Sequence, residues 1–364
     1  TIEGLDTMPA PESIRAWRIG DDMDWNRSFE SSDSALNKIY SLVEWSLKNL
    51  TFGGYQVDCS TIERMGYGGD GNASAQTTQM MAGAAPLYLN WLQAWADAQQ
   101  PDGGLPHTAP NPYTAGGGPY WCSFPVQASW RTYMNYADRR PIDRYYPAMT
   151  HWLDYVDAYT VDGLLRRWPN EEYRGWYLGD WAAPSSLVNV DDPRSVDLVN
   201  NCALLQVYDD LEQMAILQGL EADASAFRTR GATLRSRIHR EFWHDGIYAS
   251  GSQIDLAYPL LTGVVPEELR TQVIQTLKER TETVYGGHLA TGLVGIPVIT
   301  EWAVRDGEAE WLSGLLHKEG FPGYLYMLDN KATGVWEEWD GGRSHLHNCF
   351  NGIGSWFFEA LGGI

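Results

Sequence analysis

The chain has 364 residues and a formal net charge of −21, so it presents no basic face for nucleic-acid phosphates. Hydrophobic residues make up 44% and aromatic residues 13%, which is ample for a large core and argues against disorder. No apolar run reaches the ~18 residues that a membrane span requires.

Residues 1–32 form a lead-in. Ile14-Arg15-Ala16-Trp17-Arg18-Ile19 alternates apolar and polar positions, a period that predicts a strand. Thr1 is not an initiator methionine and no signal peptide opens the chain, so a processed product or an excised domain is expected. From Asp33 the period becomes helical. Leu36, Ile39, Tyr40, Val43, Leu47 and Leu50 recur at three- and four-residue steps behind a capping aspartate. Further helices are predicted over 75–84, 86–98 with proline in its first turn, 126–136, 145–158, 193–218, 224–242, 266–280, 293–304, 308–317 and 347–361. That is roughly ten to twelve helices with no strand–helix alternation. The connectors at 102–119, 163–192 and 319–346 are too long for plain turns and read as functional loops. Antiparallel helices joined by such loops imply an all-α helical toroid over residues 33–364, with a cleft built from loops at one end.

Two segments carry the chemistry. Asp58-Cys59-Ser60-Thr61-Ile62-Glu63-Arg64-Met65-Gly66-Tyr67-Gly68-Gly69-Asp70 packs three carboxylates among an arginine, an aromatic and glycines, a charge density that an interior tolerates only around water or a polar ligand. Near the other end, Trp336-Glu337-Glu338-Trp339-Asp340 leads into Gly341-Gly342-Arg343-Ser344-His345-Leu346-His347. Opposed carboxyl groups, one protonated and one ionised, are the minimum equipment for glycoside hydrolysis, although acidic loops also serve as solvated faces or cation sites. The acidic spacing is not that of an EF-hand. His345 and His347 stand nearly alone, so no zinc site is expected. Gly116-Gly117-Gly118 lacks the Lys-Ser/Thr of a phosphate loop, and no nucleophile elbow occurs. The four cysteines are dispersed and read as ordinary buried thiols. The 17 Trp and 20 Tyr fit sugar stacking as well as they fit an aromatic core.

The stretch from Asp58 to Asp70 resembles the signature of the inverting α-L-rhamnosidases of glycoside hydrolase family 78, D-C-P-x-R-E-R-x-G-[WY]-x-G-D. Phe29 to Asp33, Gln100 to Pro106, Ala109-Pro110-Asn111, Gly179-Asp180-Trp181, His288 to Gly292, Trp336 to Asp340 and Ser344 to His347 are similar to other family segments and occur in the same order. The resemblance implies an (α/α)6 barrel and hydrolysis of terminal α-L-rhamnosides. It assigns Glu63 as general acid and Glu337 as general base. Asp58 and Asp70 would hold sugar hydroxyls, Tyr67, Trp121 and Trp181 would wall the sugar pocket, and His347 would add a polar contact. It implies a rhamnose-containing carbohydrate as partner, no cofactor or metal, an exported setting (secreted, periplasmic or cell-surface), and flanking β domains outside this chain, with the β-like lead-in as the end of one. The chain departs from the pattern at Ile62 in place of arginine, Ser60 in place of proline, Leu346 in place of asparagine and Ser123 in place of a frequent aspartate. A binding protein on a degenerate barrel, or a different toroid enzyme such as a glucuronyl hydrolase, are the alternative functions.

Overall fold

The computed structural model describes residues 3–110, 117–167 and 177–364; Asn111 and Gly116 lie outside them. The first helix forms where the period places it. Asp33 caps α1 (Ser34–Leu50) by accepting the amides of Ala35 and Leu36. Leu36, Ile39, Val43 and Leu47 then form its buried stripe. The helices that follow are α2 (Gly68–Met81), α3 (Ala85–Ala98), α4 (Pro119–Cys122), α5 (Phe124–Tyr136), α6 (Arg140–Asp157), α7 (Pro193–Gln218), α8 (Glu221–Phe242), α9 (Gln253–Leu261), α10 (Glu267–Thr283), α11 (Gly295–Arg305), α12 (Ala309–Leu316) and α13 (Tyr324–Asp329).

The packing order gives the architecture. α2 packs on α5, α5 on α7, α7 on α9, α9 on α11, α11 on the turn at Asn351–Ser355, and that turn packs back on α2. This is a closed inner ring of six segments. α1, α3, α6, α8, α10 and α12 flank it as outer helices. The burial pattern separates the two rings. α2 is buried on nearly every side, whereas α8 buries only a narrow stripe around Phe227, Leu234 and Ile238, as expected for helices inside and outside a toroid.

Three short antiparallel hairpins follow outer helices: β1 (Thr51–Phe52) with β2 (Tyr55–Gln56) after α1, β3 (Thr160–Val161) with β4 (Leu164–Leu165) after α6, and β5 (Trp243–His244) with β6 (Ile247–Tyr248) after α8. They mark the end of the barrel at which inner helices begin.

Two expectations are corrected. Residues 14–32 contain no strand. Trp17 and Ile19 are 82% and 77% exposed, and alternation alone forms no strand without a ladder partner. The β-like lead-in is therefore an irregular segment. Nor do residues 347–361 form one α-helix. They comprise a 3-10 turn at Asn351–Ser355 and a π turn at Phe357–Leu361. The close approach of α2 explains the change. A Cβ on Gly354 would sit 2.3 Å from Thr77, and the Thr77 hydroxyl donates to the Asn351 carbonyl at 2.9 Å.

Candidate active site

The two acidic segments meet at the end of the barrel where the inner helices start. The amide of Asn348 donates to the Asp58 carbonyl at 2.8 Å, Cys59 bridges His347 as a one-residue antiparallel pair, and the hydroxyls of Thr61 and Ser344 lie 3.2 Å apart. The Asn348 side chain reaches the Ser74 hydroxyl of α2 at 3.0 Å. Residues from near both ends of the chain thus form one floor.

Asp58 and Asp70 are buried in that floor. Asp58 Oδ1 accepts the Met65 amide at 2.7 Å, but Asp58 Oδ2 and Asp70 Oδ1 have no hydrogen-bond partner. Burial pushes the Asp58 carboxyl up to about 7. The same desolvation, followed by repulsion from Asp58 and Glu337, raises Asp70 well above the usual carboxylate range. His347 stands between them, its Nε2 3.9 Å from Asp58 Oδ2 and its Nδ1 3.6 Å from Asp70 Oδ1. Burial lowers this imidazole to about 3, with a further contribution from Arg343. It is therefore neutral, and these approaches are not ion pairs. Its Nδ1 accepts the Cys349 amide at 3.2 Å, which leaves the proton on Nε2 as a donor.

Glu337 is held by its own loop. Its amide donates to the Ser344 carbonyl at 2.8 Å, and its Oε2 accepts the Ser344 amide at 3.2 Å. Burial raises its carboxyl, while the Ser344 amide and Arg343 oppose the rise. Glu63 is exposed on the 58–66 loop. Its backbone amide meets the Cys59 sulfur at 3.3 Å, and its carboxylate lies against the Tyr67 phenol. Tyr67 is buried, with its ring centroid 5.2 Å from that of His107.

The aromatic candidates differ in setting. Trp121 is buried in the core with its indole across the start of α2, where a Cβ on Gly69 would lie 2.3 Å from Cε2. Only glycine admits this approach, and Asp70 follows directly. Trp181 is half-buried and carries the Arg343 guanidinium 4.9 Å above its ring. Ile62 is 62% exposed. Ser123 is buried at the α4–α5 junction, where it accepts from Gln127 at 3.1 Å.

Sequence reading did not assign roles to Asp180 or Arg343. Asp180 accepts four hydrogen bonds: from the Thr291 hydroxyl at 2.6 Å and from the amides of Gly292, Val294 and Gly295 at 2.7, 3.0 and 2.8 Å. It therefore anchors the start of α11 beside Trp181. Trp339 donates to the Thr291 carbonyl at 2.8 Å and stacks on Phe350 with centroids 4.0 Å apart, which ties the Glu337 loop to the same anchor. Arg343 is the one Lys or Arg in the acidic stretch 336–347, and that isolation was its signal.

Among the described residues, Asp70, His347 and Cys349 are the one group of three or more His, Cys, Asp or Glu whose ligand atoms all lie within 4.8 Å of one another. The imidazole nitrogen facing Asp70 already accepts an amide, and burial pushes the Cys349 thiol well up, so this is a weak donor set for a metal. All four cysteines are free and buried. A cavity of about 450 Å³ lies elsewhere in the barrel, lined by Asn72, Gln76, Arg131, Asp210, Glu301 and others. Its charges are in part paired internally, with Arg131 3.1 Å from Glu301.

Comparison with known proteins finds a family model that covers most of the chain. A model described as the bacterial alpha-L-rhamnosidase 6 hairpin glycosidase domain matches residues 25–361. An alpha-L-rhamnosidase of Alteromonas sp. is 26% identical over all of this chain and 41% of its own length. One from Streptomyces avermitilis is 27% identical over all of this chain and 35% of its own length. The chain thus spans about two fifths or less of these relatives. The solved structure of an alpha-L-rhamnosidase from Dictyoglumus thermophilum superposes with a TM-score of 0.90 at 25% identity, covering 98% of this chain and 40% of that one. The Streptomyces avermitilis alpha-L-rhamnosidase complexed with L-rhamnose gives a TM-score of 0.83 at 24% identity, covering 93% of this chain and 33% of that one.

Proposed function

The chain belongs to the bacterial α-L-rhamnosidase six-hairpin glycosidase family, and from that premise we propose that it removes terminal α-L-rhamnose from glycosides with inversion of configuration. The observation that carries this reading is the pair of buried, unpartnered carboxylate oxygens, Asp58 Oδ2 and Asp70 Oδ1, beside the donor Nε2 of His347. Desolvated acceptors next to a fixed donor match the hydroxyls of a small sugar, and each gains the partner it lacks when the sugar binds. Trp181 offers a partly open aromatic face to the apolar side of a 6-deoxy sugar.

In this mechanism Glu63 protonates the glycosidic oxygen as the bond to the anomeric carbon breaks. Glu337 takes a proton from a water that attacks the opposite face. Inversion requires the two carboxyls to lie ~6.5–9.5 Å apart, which leaves room for that water. The two groups stand on different loops within electrostatic reach of one another. The natural glycan, its linkage and its location, which family resemblance suggests is secreted, periplasmic or cell-surface, belong to the whole protein.

The test is incubation with 4-nitrophenyl α-L-rhamnoside, with the released sugar followed by proton NMR. Initial appearance of the β-anomer is expected. Glu63→Gln and Glu337→Gln should each reduce turnover by ~10²-fold or more without loss of fold. Full turnover in either variant would overturn that residue's role. Binding of rhamnose without hydrolysis would favour the binding-protein reading, for which Ile62, Ser123 and Leu346 are the motivating departures.

A further inference from the structure

Arg343 occupies a position that its partners define closely. Its Nη1 lies 3.6 Å from Glu337 Oε1 and its Nε 3.1 Å from Glu338 Oε1, while its guanidinium plane covers Trp181. One side chain therefore joins the carboxylate at 337, its acidic neighbour and the aromatic residue on the 179–181 segment. Among the described residues, it is the one Lys or Arg that forms an ion pair with the cluster of Asp58, Asp70 and Glu337. The arginine-bearing end of the 58–70 stretch gives no such contact: Arg64 is exposed, with a left-handed backbone (φ 58°), and position 62 is isoleucine.

We propose that Arg343 is a positioning residue for Glu337: resting on Trp181 and tied to Glu338, it fixes the Glu337 carboxylate in place and holds it ionised. The inference rests on the reading of Glu337 as general base. A base in this setting needs such help. Glu337 interacts electrostatically with Glu338 on its own loop, Glu63 on the 58–66 loop, Asp70 on α2 and the buried Cys349. Each of these carboxylates repels a charge on Glu337, and burial likewise disfavours its ionised form. The Ser344 amide and Arg343 act in the opposite direction. A planar guanidinium can serve two carboxylates and an aromatic face at once, which an ammonium cannot do.

The experiment compares wild type, Arg343→Gln, Arg343→Lys and Glu338→Gln in two readouts. The first is the titration midpoint of the Glu337 carboxyl by ¹³C-glutamate NMR, assigned by loss of the signal in Glu337→Gln. The second is the acidic limb of kcat/KM on 4-nitrophenyl α-L-rhamnoside. Arg343→Gln should move both toward higher pH by ~0.5–1 unit, a reduced value for a half-exposed pair. Arg343→Lys should restore only part of the shift, since an ammonium keeps the charge but not the two-carboxylate, ring-stacked geometry, and Glu338→Gln should move both toward lower pH. A Glu337 midpoint unchanged in Arg343→Gln would overturn the inference, as would a uniform fall in kcat with the limb unmoved, because that is the mark of a merely structural contact. The two readings fail separately: wild-type enzyme inactive on the rhamnoside refutes the rhamnosidase reading, while the NMR midpoint still decides whether Arg343 controls Glu337.

Discussion

Asp58 and Asn348 are joined through their backbones, the Asn348 amide donating to the Asp58 carbonyl at 2.8 Å. This one bond sets the acidic segment near the start of the chain against the one near its end. The carboxylates of the site inherit their burial from the joint, and several consequences can be measured.

Asp58 is more easily protonated in the folded protein than in the unfolded chain, because burial raises its carboxyl to about 7. Between about pH 4 and 7 the native state therefore holds the extra proton, and stability falls as pH rises through this window. Asp58→Asn should remove most of that fall. Its amide oxygen can still accept the Met65 amide, and no charge remains to be desolvated. Urea unfolding at pH 5 and at pH 7.5 checks this. The variant should gain on the order of 1–3 kcal/mol relative to wild type at the higher pH and little at pH 4. An equal pH slope in both proteins would show that Asp58 is solvated.

His347 is held neutral by burial, lowered to about 3, so it should act as a hydrogen-bond donor and not as a titrating group. His347→Ala should weaken binding of free rhamnose by ~10-fold or more, the cost of leaving a buried hydroxyl unpaired. The pH limbs of activity should stay where they are. Calorimetry and a pH–rate profile separate the two effects; a shifted limb would mean that the imidazole gains or loses a proton in the working range.

Asp180 satisfies four donors at the start of α11. Asp180→Ala strands them in a buried site and should cost roughly 3 kcal/mol or more. Asp180→Asn, which can still accept on one side, should lie between that variant and wild type. Near-UV circular dichroism should change in parallel, since Trp181 and Trp339 are fixed to the same anchor. Wild-type stability in the alanine variant would mean that water replaces the carboxylate.

The outer barrel was legible in the sequence because an outer helix must show its period. Asp33 with Leu36, Ile39 and Val43 announces α1, and among the inner helices α7 (Pro193–Gln218) is legible as well, because its C-terminal half keeps a polar face. Two inner helices, α2 and α9, carry no such signal. α9 is buried on nearly all sides and contains Pro259, so its run has no polar face to reveal a turn, and it was missed. α2 starts at Gly68, ahead of the expected 75, because its first turn is made of glycines and an aspartate that read as loop. Gly69 makes room for the indole of Trp121, and Gly71 for Phe124, long-range contacts that no local pattern encodes. Ile14 to Ile19 failed for the opposite reason: the local pattern was clear, but the described structure offers it no partner strand. The acidic segments were legible as clusters of charge. Their closure through His347, Asn348 and Arg343 was not, since it depends on how the ring shuts.

Ring closure also sets the order in which the protein can acquire its site during synthesis. Asp58, Glu63 and Asp70 leave the ribosome well before His347, and the bridge from Cys59 to His347 has no second half until the residues between them have been made. Until then these carboxylates lack the partner segment that buries them, and their desolvation waits on ring closure. The most distant contacts of the fold, the costliest in chain entropy, are the ones that complete the pocket, so no shortened translation product that stops before residue 335 can hold it.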